Sequence, residues 1–319
     1  MVAGNADFDT LAATTLEEWT KSLVNNIFEE QPYLFMMQMG DRLRYHTGGR
    51  TMAQPLIYDT NDTVASYSQY DTIATTAQGG ITAAEYPVRQ MAGTVTIDGY
   101  TQAVNSGPQE IIDLLEAKMM QLRESFADTL NQQAIQSDGT GNTNKDWHGL
   151  EYLVGDENSS VTTVGGIDAT DANNDWWRSH IVTAVGSLTL AAVANAYNTI
   201  AKGMDKPDIG LTTQTVYEAY EALLQPQQRF ADPKTADAGF DNLLYRGMPV
   251  TVDDYVNSGD FYMVNTKYLK LRPHSGRWMT PTEFVRPYNQ DAIYAQVLSY
   301  GNFTISNRKR QARLEGVTA

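Results

Sequence analysis

Between residues 106 and 138 the apolar positions Ile111, Leu115, Met119, Leu122, Phe126 and Leu130 recur in steps of four, four, three, four and four. That is the repeat of one helix face, and Glu116, Lys118, Arg123, Glu124 and Asp128 fall elsewhere on the wheel. Ser106 is placed to cap, Pro108 suits a first turn and Gln109 completes a capping box, while Asp138-Gly139 marks the end. A helix of about thirty residues spans about 45 Å at 1.5 Å per residue, long enough to act as a structural spine. A shorter helix is expected after Thr15, with Trp19, Leu23, Ile27 and Phe28 at helical spacing and Gln31-Pro32 as its stop.

Residues 51–104 read differently. Large aliphatic residues are scattered among Thr, Ser, Ala, Gln and Tyr. Leu56, Ile57 and Tyr58 suggest one strand, and Val95 and Ile97, alternating with Thr, suggest its returning partner. Asn61-Asp62, Gln78-Gly79-Gly80 and Tyr86-Pro87 between them are turn chemistry. A two-stranded excursion with so little apolar surface is marginal alone, so either it packs on a partner, which the well-patterned flanking strands favour, or it is mobile.

Farther along, residues 155–176 read as surface loop, Trp176-Trp177 as the start of a helical stretch, and residues 188–201 as a helix. Residues 207–211 form a short strand delivering a helix capped at Thr213, with Val216, Tyr217, Tyr220, Leu223 and Leu224 on one side and Gln225-Pro226 closing it. Residues 243–271 read as strands punctuated by Arg246-Gly247, Asp253-Asp254 and Ser258-Gly259, and Ala292–Ile305 as a hairpin turning at Gly301-Asn302. A long helix, scattered strands and segregated helices predict an α+β fold rather than an alternating βαβ array.

Composition narrows the function. The chain has 319 residues, enough for two domains, and no cysteine, which removes disulfides, thiol catalysis and cysteine metal sites. With 23 Lys+Arg against 38 Asp+Glu, the net charge of −15 argues against sequence-independent DNA binding by the whole surface. No apolar stretch is long enough to span a bilayer, so no membrane partner is expected. Charge is also uneven. Residues 1–31 carry Asp7, Asp9, Glu17, Glu18, Glu29 and Glu30 against Lys21, the reverse of a basic signal-peptide start, whereas the end carries Arg308, Lys309, Arg310 and Arg313 against Glu315. Such head-and-tail asymmetry suits repeated subunits docking on one another.

No catalytic constellation emerges. There is no phosphate-cradling Walker ending, no G-x-G-x-x-G, no G-x-S-x-G and no H-E-x-x-H, and His46, His148, His180 and His274 are scattered. Asp138, Thr140, Asn142, Asn144 and Asp146 alternate like calcium ligands, but Thr143 stands where a glycine is required and Gly149 where a glutamate is required. Trp176-Trp177 beside Asp171 and Asp175 is the one motif favouring a sugar platform. No enzyme activity, cofactor or metal is expected.

The order of motifs is the strongest signal. An acidic arm leads to Thr47-Gly48-Gly49-Arg50 and a long polar hairpin; then come Asn105-Ser106-Gly107-Pro108-Gln109-Glu110-Ile111-Ile112, Gly139-Thr140-Gly141-Asn142, Gly149-Leu150, Lys206-Pro207-Asp208, Tyr245-Arg246-Gly247-Met248-Pro249-Val250 and Gly301-Asn302-Phe303. Over nearly its whole length the chain resembles the major capsid proteins of tailed double-stranded DNA bacteriophages, with the Hong Kong 97-type fold. The resemblance implies an N-terminal arm at 1–45 and an extended loop with flanking strands at 46–104. It implies a peripheral domain of 105–146 and 286–319 around the spine helix 106–138, and an axial domain at 147–285.

It further implies a virion capsid subunit, assembled in the host bacterial cytoplasm as hexamers and pentamers of an icosahedral shell around packaged double-stranded DNA. A separate scaffolding protein, or a prefix already removed, a portal and decoration proteins are the other partners it implies. Tyr67, Tyr70, Arg89, Arg308, Lys309, Arg310 and Arg313 are the expected inter-subunit contacts. Residues 51–104 contain no lysine, which removes the loop lysine that covalent cross-linking would use. An encapsulin-type compartment shell is the alternative within the same fold, and a secreted carbohydrate-active protein is the alternative of another class.

Overall fold

A computed structural model describes residues 32–38, 40–100, 108–224 and 243–318. The helix expected after Thr15, the Ser106 cap and the Gln225-Pro226 stop lie outside them. The spine helix runs from Pro108 to Gln136 over 29 residues. Its described side chains sort as the periodicity predicts, with Met119, Phe126 and Leu130 buried.

The helix lies across a sheet centred on one long strand, Ala292–Ile305. Strand Arg89–Asp98 pairs along one edge of it, from Ala292↔Asp98 to Gly301↔Arg89. Leu269–Pro273 and Thr280–Pro281 pair antiparallel along the other edge. Met119 packs between Val95, Ile97 and Ile293. A Cβ on Gly93 would collide with Leu122, so the absent side chain is what lets the helix sit so low on the sheet. Lys118 fixes the crossing by donating from Nζ to the Thr96 carbonyl at 2.7 Å.

The hairpin expected within Ala292–Ile305 is therefore a single continuous strand. Gly301-Asn302 is not a turn but a close-packed crossing. A Cβ on Gly301 would stand 2.6 Å from the Arg272 carbonyl oxygen and 3.0 Å from Trp147. The Asn302 amide ties three segments together, accepting from the backbone N–H of His148 at 2.8 Å and of Phe303 at 2.9 Å and donating to the Pro87 carbonyl at 2.9 Å.

A second sheet has the order His180–Val182, Ala312–Leu314, Phe261–Val264, Ile209–Thr212, Met248–Val252, Leu243–Tyr245. Its strands alternate between two cores. Phe261 and Met263 pack with Val193, Ala196, Ile200, Val216 and Tyr220 of the helices Leu190–Ile200 and Gln214–Leu224. Tyr262, Val264, Ile209 and Leu211 face the main core, which they share with Leu130, Ala134, Trp147, Leu150 and Trp177. Gly210 has no side chain because Phe261 and Met248 occupy that space.

The two sheets divide the chain differently from the expected blocks. Leu269–Pro273 and Thr280–Pro281, expected with 147–285, join the spine-helix sheet, and Ala312–Leu314, expected with 286–319, inserts into the six-stranded sheet. Pairing partners far apart in sequence, His180–Val182 and Phe261–Val264, make that exchange. Pro32 opens the helix Pro32–Gln38, as a first-turn proline can, and Tyr33, Leu34 and Met37 are buried in the main core. Residues 155–176, read as loop, contain the two-strand ladder Thr163–Val164 with Ile167–Asp168 and the 3-10 helix Ala172–Trp177, which Trp176-Trp177 end rather than start.

Candidate assembly surface

Strand Thr51–Ile57 pairs antiparallel with Ile81–Pro87, from Thr51↔Pro87 to Ile57↔Ile81. The expected partner, Val95 and Ile97, is committed to the long strand instead. Tyr86-Pro87, read as a turn, ends the true partner strand. The Thr and Ala around Ile81–Pro87 kept its alternation faint, although Ala84 and Tyr86 are both fully buried. With Met52 and Leu56 they root the hairpin in the main core. Tyr86 donates from its hydroxyl to the Ile305 carbonyl at 2.8 Å, and burial pushes the phenol pKa well up.

The root ends at Tyr58, which stacks on Trp176 with centroids 5.2 Å apart, and at Gly80, whose φ of +113° reverses the chain as its carbonyl accepts from the Tyr58 N–H. Between them residues 59–79 form no strand or helix. Local turns hold them: Asn61 accepts from the Thr63 N–H, and Asp71 from the Ser68 N–H. Large apolar side chains nevertheless stand in water there: Val64 is 82% exposed, Tyr67 72%, Tyr70 96% and Ile73 60%. The chain thus holds up a loop with apolar cargo and no core beneath it.

Tyr67 and Tyr70 sit in this free loop. Arg89 lies in the strand behind the root, half-buried, its Nε buried without a hydrogen-bond partner. Its charge reaches His148, whose imidazole is held down to about 3 by burial first and Arg89 second.

The basic cluster is largely used inside the chain itself. Arg308 is fully buried, with Nε donating to the Leu153 carbonyl at 2.9 Å and Nη1 to the Trp177 carbonyl at 3.1 Å. Burial lowers its pKa to about 10. Arg313 bridges Asp260 at 2.7 Å, Glu151 at 2.8 Å and Glu315 at 3.2 Å with its side chain 8% exposed. Arg310 donates to the Ile200 carbonyl at 3.1 Å. Lys309 alone of the four projects outward, 58% exposed and 3.2 Å from Asp175. Apart from Glu315, those intrachain partners are remote in sequence, so a charge count along the tail could not reveal them.

Trp176 and Trp177 are likewise occupied. Trp177 is fully buried and donates from Nε1 to the Val164 carbonyl at 3.0 Å, while Trp176 carries Tyr58, so neither offers a free sugar platform. In the calcium-like loop, Asp138 accepts from Thr140 and Asp146 from Gln133. Among the described residues no group of three or more acidic or histidine side chains could hold a metal, and no helix is long and apolar enough to cross a membrane.

Compared by sequence, the chain matches no protein-family model and no curated protein. Compared by structure, it is similar to the capsid asymmetric unit of cyanophage A-1(L), at 14% identity and TM-score 0.66 over 89% of this chain and 93% of that one. It is similar to the capsid of a native GTA particle, at 11% identity and TM-score 0.57 over 87% of this chain and 89% of that one. It is also similar to the holo-SrpI encapsulin of Synechococcus elongatus PCC 7942, at 12% identity and TM-score 0.56 over 89% of this chain and 87% of that one. The fold is the α+β, Hong Kong 97-type capsid fold that the order of motifs implied.

Proposed function

We propose that the chain is the major shell subunit of a tailed bacteriophage, assembling as hexamers and pentamers into an icosahedral head around packaged double-stranded DNA. The observation that carries this reading is the hairpin loop. Its root is fixed in the main core, while Tyr67, Tyr70, Val64 and Ile73 are exposed in a chain whose fold is shared by shell subunits. A neighbouring subunit supplies the missing burial. The spine-helix sheet serves as the peripheral region and the six-stranded sheet as the axial one. The head assembles in the bacterial cytoplasm with a separate scaffolding protein, a portal and decoration proteins, and takes no cofactor or membrane.

The net charge of −15 suits a container that holds DNA without gripping it. The likeness to an encapsulin supports one second reading, a shell around protein cargo. Negative-stain microscopy of the purified chain, with nucleic-acid content after nuclease treatment, tests both. Icosahedral particles with nuclease-protected DNA from infected cells support the phage head. Particles with protein cargo and no DNA support the compartment, and a chain that stays monomeric at all concentrations contradicts both.

A further inference from the structure

A cavity of about 180 Å³ opens beside the root of the hairpin. Leu56, Tyr58 and Trp176 line it from one side, and Ser306, Asn307 and Lys309 from the other. Its volume limits what can enter. An apolar cavity of about 150 Å³ holds one benzene ring, whereas sites for drug-sized ligands and cofactors run to about 300–1,000 Å³. One aromatic side chain therefore fills this space, and a nucleotide or an oligosaccharide does not.

The lining suits a phenol ring. Tyr58 and Trp176 are already stacked, and a third ring beside them gains further aromatic contact. Opposite, the Ser306 hydroxyl donates to the Tyr268 carbonyl at 3.2 Å, which leaves its oxygen lone pairs to accept from an incoming O–H. Lys309 and Arg310 on the rim belong to a network with a surplus of positive charge. In it four cations, Arg178, Lys267, Lys309 and Arg310, share three carboxylates, Glu157, Asp175 and Asp205. Lys309 is 58% exposed, so its ammonium can take a second carboxylate without leaving Asp175.

The chain itself carries the complement. Residues 59–79 contain Asp59, Asp62 and Asp71 and no lysine or arginine, and Tyr70, next to Asp71, is 96% exposed. We propose that the cavity is the socket for the Tyr70 ring of a second copy's hairpin loop, an inference that rests on the shell reading and adds where the loop docks. Seating the ring brings Asp71 to the rim, where Lys309 receives it, and opposite charges on loop and rim favour the encounter. Within one copy Tyr70 stands in water although its loop starts at the cavity wall, so the ring that enters comes from a neighbour. Each copy then offers one loop and one socket, a heterologous contact that closes into rings.

The test uses the full chain with Asp71→Cys/Lys309→Cys, which supplies the only two thiols of a cysteine-free protein at exposed positions outside the core. Particles are treated with a short bismaleimide, dissolved in detergent and run on a denaturing gel. The expected result is a ladder of linked chains ending at pentamers and hexamers. Adding Tyr70→Ser is expected to abolish the ladder, and Tyr70→Phe, which keeps the ring, to retain it. Particles whose chains stay single, whether unlinked or linked within one copy, overturn the proposal and leave the shell reading standing. A ladder undiminished by Tyr70→Ser also overturns it, because the loop would then lie near the socket without filling it. A second measurement needs no new thiol: acetylation of Lys309 in the wild-type chain is expected to slow on going from free subunits to particles. Equal acetylation in both overturns the proposal. Microscopy of the wild-type chain separates these outcomes from failure of the shell reading, which absence of particles would show and which would remove the proposal with it.

Discussion

Replacing Arg308 separates two physical accounts of the basic cluster. If Arg308 docked on a neighbour, Arg308→Ala would leave the subunit folded and weaken assembly in a salt-dependent way. Its position in the structure predicts a folding defect instead. The change deletes the donors to the Leu153 and Trp177 carbonyls and the packing of the guanidinium on the Trp177 ring, 6.0 Å from its centroid. Hydrogen bonds to a charged group contribute about 1.5–3 kcal/mol each, and the void left by the stem adds to that. Relief of the buried charge's desolvation offsets part of the loss. The net expectation is a destabilisation of about 3–5 kcal/mol. Urea unfolding of the unassembled subunit, followed by the fluorescence of its five tryptophans, Trp177 among them, reads this loss. Arg308→Lys keeps the charge but not the fork and falls between the two. A subunit with Arg308→Ala that unfolds within about 1 kcal/mol of wild type, yet assembles more poorly than wild type at low salt with the difference fading as salt rises, would refute the reasoning.

Three further outcomes follow from the same geometry. Tyr67→Ser and Tyr70→Ser leave the subunit's thermal midpoint unchanged but raise the concentration at which light scattering detects shells. A contact of about 2 kcal/mol gives about thirtyfold each, and an unmoved threshold would count against an interface there. Gly301→Ala forces a Cβ to within 2.6 Å of the Arg272 carbonyl oxygen and costs about 1–3 kcal/mol in urea melts; a neutral result contradicts the close crossing. Burial raises the Asp260 carboxyl to about 6 against the opposing pull of Arg313. The folded chain thus holds that proton more tightly than the unfolded chain, at about 3.9, so Asp260 contributes added stability as pH falls from 7 toward 4. Asp260→Asn removes that gain, and parallel pH–stability profiles for variant and wild type sink the assignment.

The sequence revealed elements whose signal is local. The spine helix was legible because its stripe repeats every three to four residues, and Arg246-Gly247 and Ser258-Gly259 separate strands as read. What it hid depends on distant partners. Nothing near Leu56 says that Ile81–Pro87 rather than Val95 lies opposite, since register is settled by which face the core takes up. Gly301-Asn302 has the composition of a turn, and only the positions of Trp147 and Arg272 show why a strand needs a glycine there. The candidate surface was half legible. The uncompensated loop with Tyr67 and Tyr70 could be read from polarity alone, but Arg308 and Arg313 could not be told from docking charges without Leu153, Glu151 and Asp260.

The chain contains no cysteine, so a single Tyr70→Cys gives a unique thiol at the most exposed large side chain of the loop. Its labelling rate with a maleimide, measured on unassembled subunits and on purified particles, reports directly whether neighbours cover the loop. The account predicts fast labelling of the free subunit and a rate lower by about tenfold or more in particles, because thiol reactivity follows access. Equal rates in both states would contradict it.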